Sequence, residues 1–464
     1  MGRGKFLAGA ALALMLAVPA TPAMAGTTAE LLKRLHEKGI LTDEEYQALL
    51  AQEGTEIATA PATAPAQAAA ASLDDKRLVR MTESGIGMEV GGVTVKMSGS
   101  VNGFYVHDNG QTPGPNTAVT GGVVPVGGNV SAIRNGLLPG FLKFDFTTTQ
   151  GGWDVGAHFG MYPGINSSSY AGGANGPGFP AALQTSGIDF RQTYLTIGRK
   201  GLGEFKMGRD IGLFGSEGIL NDITLLSVGS TGGNVAPSNT SLGRIGVGYI
   251  YTDFQPQITY SSPNLGGFQA TVGVFQPLQS LTGPGETGSS PGFQGKVVYD
   301  GKFGVISARV WLSGITQKHD RVDGASYTGS GFDTGAKVGI GPLSVIGYYY
   351  KGSGIGTTAL NLFDTDAFGA KRDSEGFYLQ GLATFGKFSV GGSYGQSTLD
   401  YANLADALAN PTLVDKNSSY VGQVRYGLTS WVTLISEYIS TKSKAHNGNE
   451  AQSDTIAAGA ILFF

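Results

Sequence analysis

The sequence has 464 residues, of which 75 are glycine and only 14% are charged, so the chain is polar without being highly charged. Its 23 Phe, 19 Tyr and 3 Trp exclude a disordered chain, because disordered chains lack the aromatic side chains that bury surface. The net charge of −4 argues against a nucleic-acid partner, and the absence of cysteine excludes a fold held by disulfides.

Residues 1–25 have the three parts of a secretory signal peptide. Arg3 and Lys5 supply positive charge, residues 7–18 are apolar, and residues 23–25 form a small-x-small cleavage site. The alternative is a membrane anchor, which this apolar run disfavours because it is too short to cross ~30 Å of hydrocarbon as a helix. We therefore expect an exported protein, and cleavage leaves 29 basic and 35 acidic residues, a net charge of −6.

Residues 26–53 are predicted to form a short helical hairpin. Apolar side chains recur at helical spacing on either side of Gly39, and Thr42 with Glu45 has the form of a capping box. Residues 54–85 follow as an Ala/Thr/Pro-rich linker. Three roles remain open for the hairpin: an oligomerisation helix, a periplasmic or cell-wall contact, and a solvated appendage.

From Gly91 onward the apolar pattern changes to a period of two. Strict alternation is typical of a strand with one apolar and one polar face. The pattern assigns residues 86–464 to one all-β domain. Its apolar positions include Leu142, Phe144 and Phe146; Val155, Ala157, Phe159 and Met161; Phe268, Ala270, Val272 and Val274; Phe377, Leu379, Ala383 and Phe385; Phe388, Val390 and Tyr394; and Tyr420, Val424 and Tyr426.

The connections between these strands fall into two alternating length classes. Seven tight turns and eight long loops join sixteen strands, give or take two. These numbers are typical of a transmembrane antiparallel β-barrel with both termini on the side of the short turns. The turns are expected at 150–152, 200–202, 263–267, 300–302, 341–342, 386–387 and 428–430. The loops are expected at 109–140, 163–187, 210–242, 277–292, 319–330, 354–373, 400–417 and 443–452.

The end of the chain favours a membrane barrel over a soluble β-sandwich, which would also show alternation and turns. Ile456, Ala458, Ala460, Leu462 and Phe464 form one apolar face that ends in an aromatic residue. This ending resembles the last strand of outer-membrane barrels, in which the final Phe is a signal for the barrel-insertion machinery. In lipid, only a closed barrel satisfies the backbone hydrogen bonds of every strand.

Three segments carry a more specific resemblance. Residues 191–210 (RQTYLTIGRKGLGEFKMGRD), 241–251 (SLGRIGVGYIY) and 258–268 (ITYSSPNLGGF) resemble the motifs around the third loop of Gram-negative general diffusion porins. The resemblance covers residues 86–464 in architecture. It implies a homotrimer in outer-membrane lipid and lipopolysaccharide, and a water-filled channel for small hydrophilic solutes. The helical hairpin is similar to the periplasmic extension of some subfamilies.

In that family the third loop folds into the barrel and narrows the channel, with acidic loop residues facing basic wall residues. The resemblance places Arg191 and Arg244 on the wall, with Lys143 as a third basic residue, and offers Glu217 and Asp222 as the loop acids. The loop lacks the usual Pro-Glu-Phe-Gly-Gly signature. Alternation also conflicts with one assignment, because Arg191 shares a face with two apolar residues, Leu195 and Ile197.

No sequence pattern indicates an enzyme, a cofactor or a metal site. The five histidines are isolated in sequence, and the partial phosphate-loop pattern at 381–387 lies between two strands and is followed by Phe388 instead of Ser or Thr. The sequence therefore predicts a passive porin. The alternatives are a substrate-selective channel for phosphate, sugars or organic acids, and an outer-membrane enzyme or adhesive barrel.

Overall fold

The computed structural model describes residues 79–82, 85–165, 188–232 and 239–464. The predicted signal peptide, the helical hairpin and residues 54–78 of the predicted linker lie outside the described residues. Nineteen strands are described, in chain order: β1 (Val79–Met81), β2 (Ile86–Val90), β3 (Val93–Gly110), β4 (Asn129–Arg134), β5 (Phe141–Gln150), β6 (Trp153–Pro163), β7 (Ile188–Arg199), β8 (Gly203–Ile211), β9 (Phe254–Ser261), β10 (Phe268–Phe275), β11 (Gly292–Phe303), β12 (Ile306–Asp320), β13 (Ser326–Ile340), β14 (Leu343–Ser353), β15 (Asp373–Phe385), β16 (Phe388–Leu399), β17 (Val414–Gly427), β18 (Val432–Ala445) and β19 (Glu450–Phe463).

Sixteen of these strands close into one antiparallel barrel, as predicted. β3 pairs with β5, each strand from β5 to β19 pairs with the next, and β19 pairs back onto β3. The closing seam runs from Ser453 opposite Gly110 to Phe463 opposite Ser100. Closure leaves no free strand edge in the barrel wall, which is the condition for a sheet surrounded by lipid.

The other three strands attach to β3. β1 and β2 form a hairpin, and β2 pairs with the first residues of β3. β1 falls within residues 54–85, so part of the segment predicted as linker is a strand. β4 pairs with the far half of β3, from Phe104 opposite Arg134 to Asn109 opposite Asn129, and so belongs to the first loop.

The two faces of the wall differ sharply in chemistry. Large apolar side chains are exposed on the outer face, as at Val272 (58% exposed) and Leu379 (58%), while their neighbours in sequence, Thr271 and Gln380, face the interior. An outer apolar band over a polar interior is the pattern of a barrel made for lipid. The strand faces predicted from alternation are therefore the faces observed.

Most predicted turns and loops lie within a few residues of the observed ones, with three differences. Residues 321–325, inside the predicted long loop at 319–330, form a short connection, because β12 and β13 extend to Asp320 and Ser326 with polar side chains. The turn predicted at 300–302 lies at 304–305. The third loop runs to residue 253, eleven residues further than expected.

The main hydrophobic core lies inside the barrel, between the third loop and the wall. The loop carries a short helix, α1 (Ser216–Leu220), and a 3₁₀ turn (Ile223–Leu226); the seventh loop carries α2 (Leu404–Ala409). Among the described residues, no helix is long and apolar enough to cross a membrane. The core includes Phe214, Ile219, Tyr249 and Ile250 of the loop and Trp311, Ile346, Tyr348, Tyr350 and Tyr378 of the wall.

Candidate functional site

The third loop first binds the wall beside β11 and β13. The backbone N–H groups of Leu213 and Phe214 donate to Gln294 Oε1 at 2.8 and 3.0 Å, and the N–H of Gly215 donates to Asp333 Oδ2 at 2.7 Å. Gln294 and Asp333 both lie on the inward face. These bonds satisfy the N–H groups that precede α1, so the loop is held against the wall from its first turn.

Glu217 is the charged anchor of α1. Its carboxylate accepts from Lys296 Nζ of β11 at 3.0 Å and from Arg309 Nε and Nη2 of β12 at 3.0 and 2.9 Å. Burial would raise the pKa of Glu217, but the hydrogen bonds and charges of Arg309 and Lys296 outweigh it and lower that pKa to about 2. Glu217 therefore binds wall bases directly instead of facing them across open water.

Asp222 supports the loop itself. Its side chain accepts from the N–H of Thr224 at 2.9 Å, as the N-cap of the 3₁₀ turn, and from the hydroxyl of Tyr249 at 2.7 Å. Asp222 is 5% exposed. Of the two predicted loop acids, only Glu217 binds basic residues of the wall among the described residues.

The middle of the loop continues across β15 and β17. The N–H of Ile223 donates to Gln380 Oε1 at 3.0 Å, and Gln380 Nε2 donates to the carbonyl of Asn221 at 2.6 Å. Arg425 Nη2 of β17 donates to the carbonyl of Ile223 at 2.6 Å. Alternation with Val424 and Tyr426 places Arg425 on the inward face, but the sequence gives no reason to expect a loop beside it.

The far end of the loop binds β18 through Glu437. This buried carboxylate accepts from the N–H groups of Val228 and Gly229 at 2.8 and 2.7 Å and from the Ser227 hydroxyl at 2.7 Å. Three donors at one carboxylate make a strong anchor. Lys296, Arg309 and Glu437 were all missed by sequence analysis. Alternation places each on a polar face, but no local signal joins them to the loop.

Arg244 lies in the third loop and not on a wall strand, which corrects its predicted position. Residues 243–251 form turns because Gly243, Gly246 and Gly248 have φ values of 55°, 82° and 110°, a region that favours glycine. The Arg244 side chain is 1% exposed, and its guanidinium lies at the β16 and β17 wall beside Ser393 and the carbonyl of Ser419. It is therefore a buried part of the loop packing.

Arg191 faces the interior because of a break in the β6–β7 register. Pairing shifts between Gly160 and Tyr162, so Arg191 leaves the face of Leu195 and joins Asp189. Its guanidinium binds Asp189 with Nε to Oδ1 at 2.8 Å and Nη2 to Oδ2 at 2.5 Å. The same guanidinium lies 4.9 Å from the Tyr162 ring centroid. This register shift explains why Arg191 faces the interior although strict alternation places it on the same face as Leu195 and Ile197.

Lys143 also faces the interior, as alternation predicted. On β5 it lies opposite Ser98 of β3 and Gly160 of β6. Its Nζ is 5.0 Å from the Phe141 ring centroid and 5.9 Å from that of Tyr162. Lys143 and Arg191 thus meet at the same aromatic ring, on a part of the wall that the third loop contacts through Asn239.

A cavity of about 310 Å³ separates this wall from the third loop. Lys143 and Arg191 are its only charged lining residues among those described, and Ile219 and Leu220 of α1 lie on its loop side. The structure therefore brings together two of the five predicted constriction residues. Glu217, Asp222 and Arg244 lie within the loop packing. No group of three or more His, Asp or Glu among the described residues is placed to hold a metal ion.

Comparison with known proteins identifies the family. The family model for Gram-negative porins matches residues 57–447, which is most of the chain. The chain belongs to the Gram-negative porin family. No match was found among curated protein sequences.

Solved structures show the fold of this porin independently. The outer-membrane channel DcaP of Acinetobacter baumannii is 17% identical, with a TM-score of 0.61 over 80% of this chain and 98% of that one. The anion-selective porin of Comamonas acidovorans is 17% identical, with a TM-score of 0.54 over 80% and 100%. The porin is therefore an outer-membrane diffusion channel.

Phe464, predicted as the assembly signal, completes the barrel seam of the porin. Its backbone exchanges two hydrogen bonds of 3.0 Å with Gly99 on β3. A Cβ on Gly99 would collide with the Phe464 ring, so the glycine leaves room for the aromatic residue to lie over the strand. The ring centroid also lies 6.0 Å from that of Trp431.

Proposed function

We propose that this porin lets small hydrophilic solutes and ions diffuse passively through a water-filled channel, and that the third loop narrows the channel. The observation that carries the proposal is the series of hydrogen bonds from the loop to inward-facing side chains of β11, β13, β15 and β18. The loop occupies that side of the interior, and we place the passage beside β5 to β9, where the cavity lined by Lys143 and Arg191 lies.

The predicted constriction residues take different parts in this proposal. Lys143 and Arg191 line the passage, whereas Glu217, Asp222 and Arg244 hold the loop in place. Glu217 pairs at short range with Lys296 and Arg309, and Arg309 also pairs with Asp300, so Glu217 contributes to ion preference mainly by offsetting part of this positive charge. The strong acid-against-base field expected from the family resemblance is thereby weakened.

A substrate-selective channel is the second candidate function. The cavity beside Lys143 and Arg191 favours it, because a small site with apolar walls and few polar groups is typical of ligand binding. The two functions differ in flux. Passive diffusion rises linearly with solute concentration, whereas a binding site in the passage makes the flux saturate.

We also propose that the porin assembles as a homotrimer in outer-membrane lipid and lipopolysaccharide, and that the insertion machinery recognises Phe464. Family membership supports the trimer, and the exposed apolar band supports the lipid contact. Unheated gel electrophoresis of detergent-extracted protein tests the trimer. A single band at monomer mass under mild detergent would contradict it.

Planar-bilayer conductance tests the channel. The full-length protein, purified in detergent, should produce stepwise ion conductance in potassium chloride, and liposomes that contain it should swell in small sugars at rates that fall with solute size. Circular dichroism and heat-modifiable migration show that the sample is folded. A folded sample that conducts no more than bare lipid would overturn the proposed function.

A further inference from the structure

We propose that the cavity between the third loop and the wall at β5 to β9, called here the Lys143 cavity, binds small amphipathic organic monoanions. The anionic group lies at Lys143 Nζ, and an apolar or aromatic body packs between the wall rings and α1. The inference rests on the proposed channel function, because the ligand reaches the cavity through the passage. It adds a substrate class that the fold alone does not specify.

The charge balance of the cavity singles out Lys143. The other lining cation, Arg191, is already paired with Asp189 through two hydrogen bonds. Lys143 makes no ion pair among the described residues, and its Nζ lies over the faces of two aromatic rings. One positive charge therefore remains available to a ligand.

The carboxylates closest to this charge are engaged elsewhere. Asp210 binds Lys206 Nζ at 2.5 Å and Gln192 Nε2 at 2.7 Å. Asp145 lies 2.5 Å from Nδ1 of His158. Because these acids have their own partners, they do not compete fully with an incoming anion for Lys143.

The apolar walls define the rest of the ligand. Leu220 of α1 is 50% exposed even though it lies inside the barrel, where most exposed side chains are polar. Ile219, Leu225 and Ile211 extend this surface, and Phe254 and Tyr162 lie on the wall side. An apolar body that covers these side chains displaces water from them, and the hydrophobic effect stabilises the complex.

Most polar lining groups are already hydrogen-bonded, which disfavours sugars. Asn239 Nδ2 donates to Asp189 and to the carbonyl of Tyr162, and the Ser241 hydroxyl donates to the carbonyl of Val228. Among the buried lining atoms, Asn239 Oδ1 and Thr358 Oγ1 lack a hydrogen-bond partner, and two isolated polar atoms are too few for a ligand with several hydroxyl groups. A dianion is disfavoured for a different reason, since its second charge would lie against apolar side chains or near Asp189.

Block of the ion current measures binding. Benzoate carries one charge and a ring, acetate carries the charge without the ring, and benzamide carries the ring without the charge. We expect benzoate to reduce the potassium chloride current of the wild-type porin in a saturable way, at concentrations at least about tenfold lower than acetate or benzamide. Terephthalate, with two charges, should block less well than benzoate.

Substitutions at two positions, Lys143 and Leu220, separate the role of the charge from that of the apolar surface. Lys143→Met should raise the half-blocking concentration of benzoate at least about tenfold, while Lys143→Arg should keep most of the block. Leu220→Ser should weaken benzoate block and leave acetate unchanged. Lys337→Met is the matched control, because Lys337 is an exposed, inward-facing lysine on β13, away from the cavity.

These measurements separate a failure of the proposed binding site from a failure of the proposed channel function. Equal block by benzoate and acetate, or equal effects of Lys143→Met and Lys337→Met, would overturn the site and leave the channel intact. A folded porin without conductance would overturn the channel. Isothermal titration of benzoate into the detergent-solubilised protein would then still decide the site, and the absence of a Lys143-dependent binding heat would overturn it.

Discussion

At the scale of single residues, the role of each charged side chain inside this barrel depends on the partner that it contacts. Glu217 was predicted as a loop acid facing Lys143, Arg191 or Arg244, yet it binds Lys296 and Arg309, which lie 79 and 92 residues further along the chain. Alternation shows that these side chains face inward. It contains no information on which inward residue meets the loop, because that depends on how the loop crosses the closed barrel.

Replacing Glu217 with Gln should shift ion preference toward anions. The substitution removes the Glu217 charge from Lys296 and Arg309, although Arg309 keeps its ion pair with Asp300, and weakens the loop anchor by roughly 1–3 kcal/mol. Reversal potentials across a salt gradient measure the shift, which should shrink in concentrated salt as the screening length falls from ~10 Å at 0.1 M to ~3 Å at 1 M. Asp320→Asn, at the exposed end of β12, is the control; an equal shift there would contradict the assignment.

The lowered pKa of Glu217 predicts how the free energy of unfolding changes with pH. The pKa of Glu217 in the folded protein is lowered to about 2, below the ordinary value of 4.5. Its stabilising effect is therefore complete above pH 4.5 and is lost as the pH falls toward 2. Urea unfolding in detergent should show a wild-type advantage over Glu217→Gln that is constant from pH 7 to 5 and shrinks below it. An advantage that disappears already at pH 5 would contradict the lowered pKa.

At the scale of strands and loops, alternation placed most strand side chains on the correct faces, with Arg191 as an exception. This predicts that arginine is tolerated on one face and not on the other. Val272→Arg should destabilise the barrel by roughly 2–4 kcal/mol near the membrane midplane, because Val272 faces lipid. Thr271→Arg, one residue away at the same depth but facing inward, should cost far less. Urea unfolding in lipid vesicles compares the two, and equal losses would refute the assignment of faces.

The elements that sequence analysis misplaced have physical reasons in common. Residues 243–251 alternate like a strand, but their glycines adopt turns that only the packed loop stabilises. Arg191 is turned inward by a register shift that depends on β6, a neighbouring strand. Residues 319–320 and 326–330 are polar strand ends, which composition alone does not distinguish from a loop. Strand faces are local properties of the sequence, whereas these three features depend on partners.

At the scale of the whole molecule, the closure of the barrel wall and the filling of its interior depend on different segments of the chain. The wall closes through backbone pairing of β19 with β3, and the interior is filled by a loop whose core contacts come from strands β11 to β15. The wall therefore depends on the end of the chain, while the passage depends on the third loop.

The two ends of the chain should consequently differ in their importance for assembly. Deleting residues 26–72 should leave a heat-modifiable barrel in the outer membrane, because every described barrel strand lies after them. Deleting Phe464 should reduce assembly, since it removes two backbone hydrogen bonds to Gly99 and the ring beside Trp431. Gly99→Val tests the same contact from β3 and should also reduce assembly, because the new side chain would collide with the Phe464 ring.

Gel migration of outer-membrane fractions, heated and unheated, measures the folded fraction in each variant. Phe463→Ala is a matched control at the neighbouring position, since it keeps the chain length and the terminal aromatic residue. If the Phe464 signal acts through the seam, the Phe464 deletion and Gly99→Val should both lower the folded fraction more than Phe463→Ala does. Loss of the barrel on deletion of residues 26–72, with normal assembly after the Phe464 deletion, would reverse the roles assigned to the two ends.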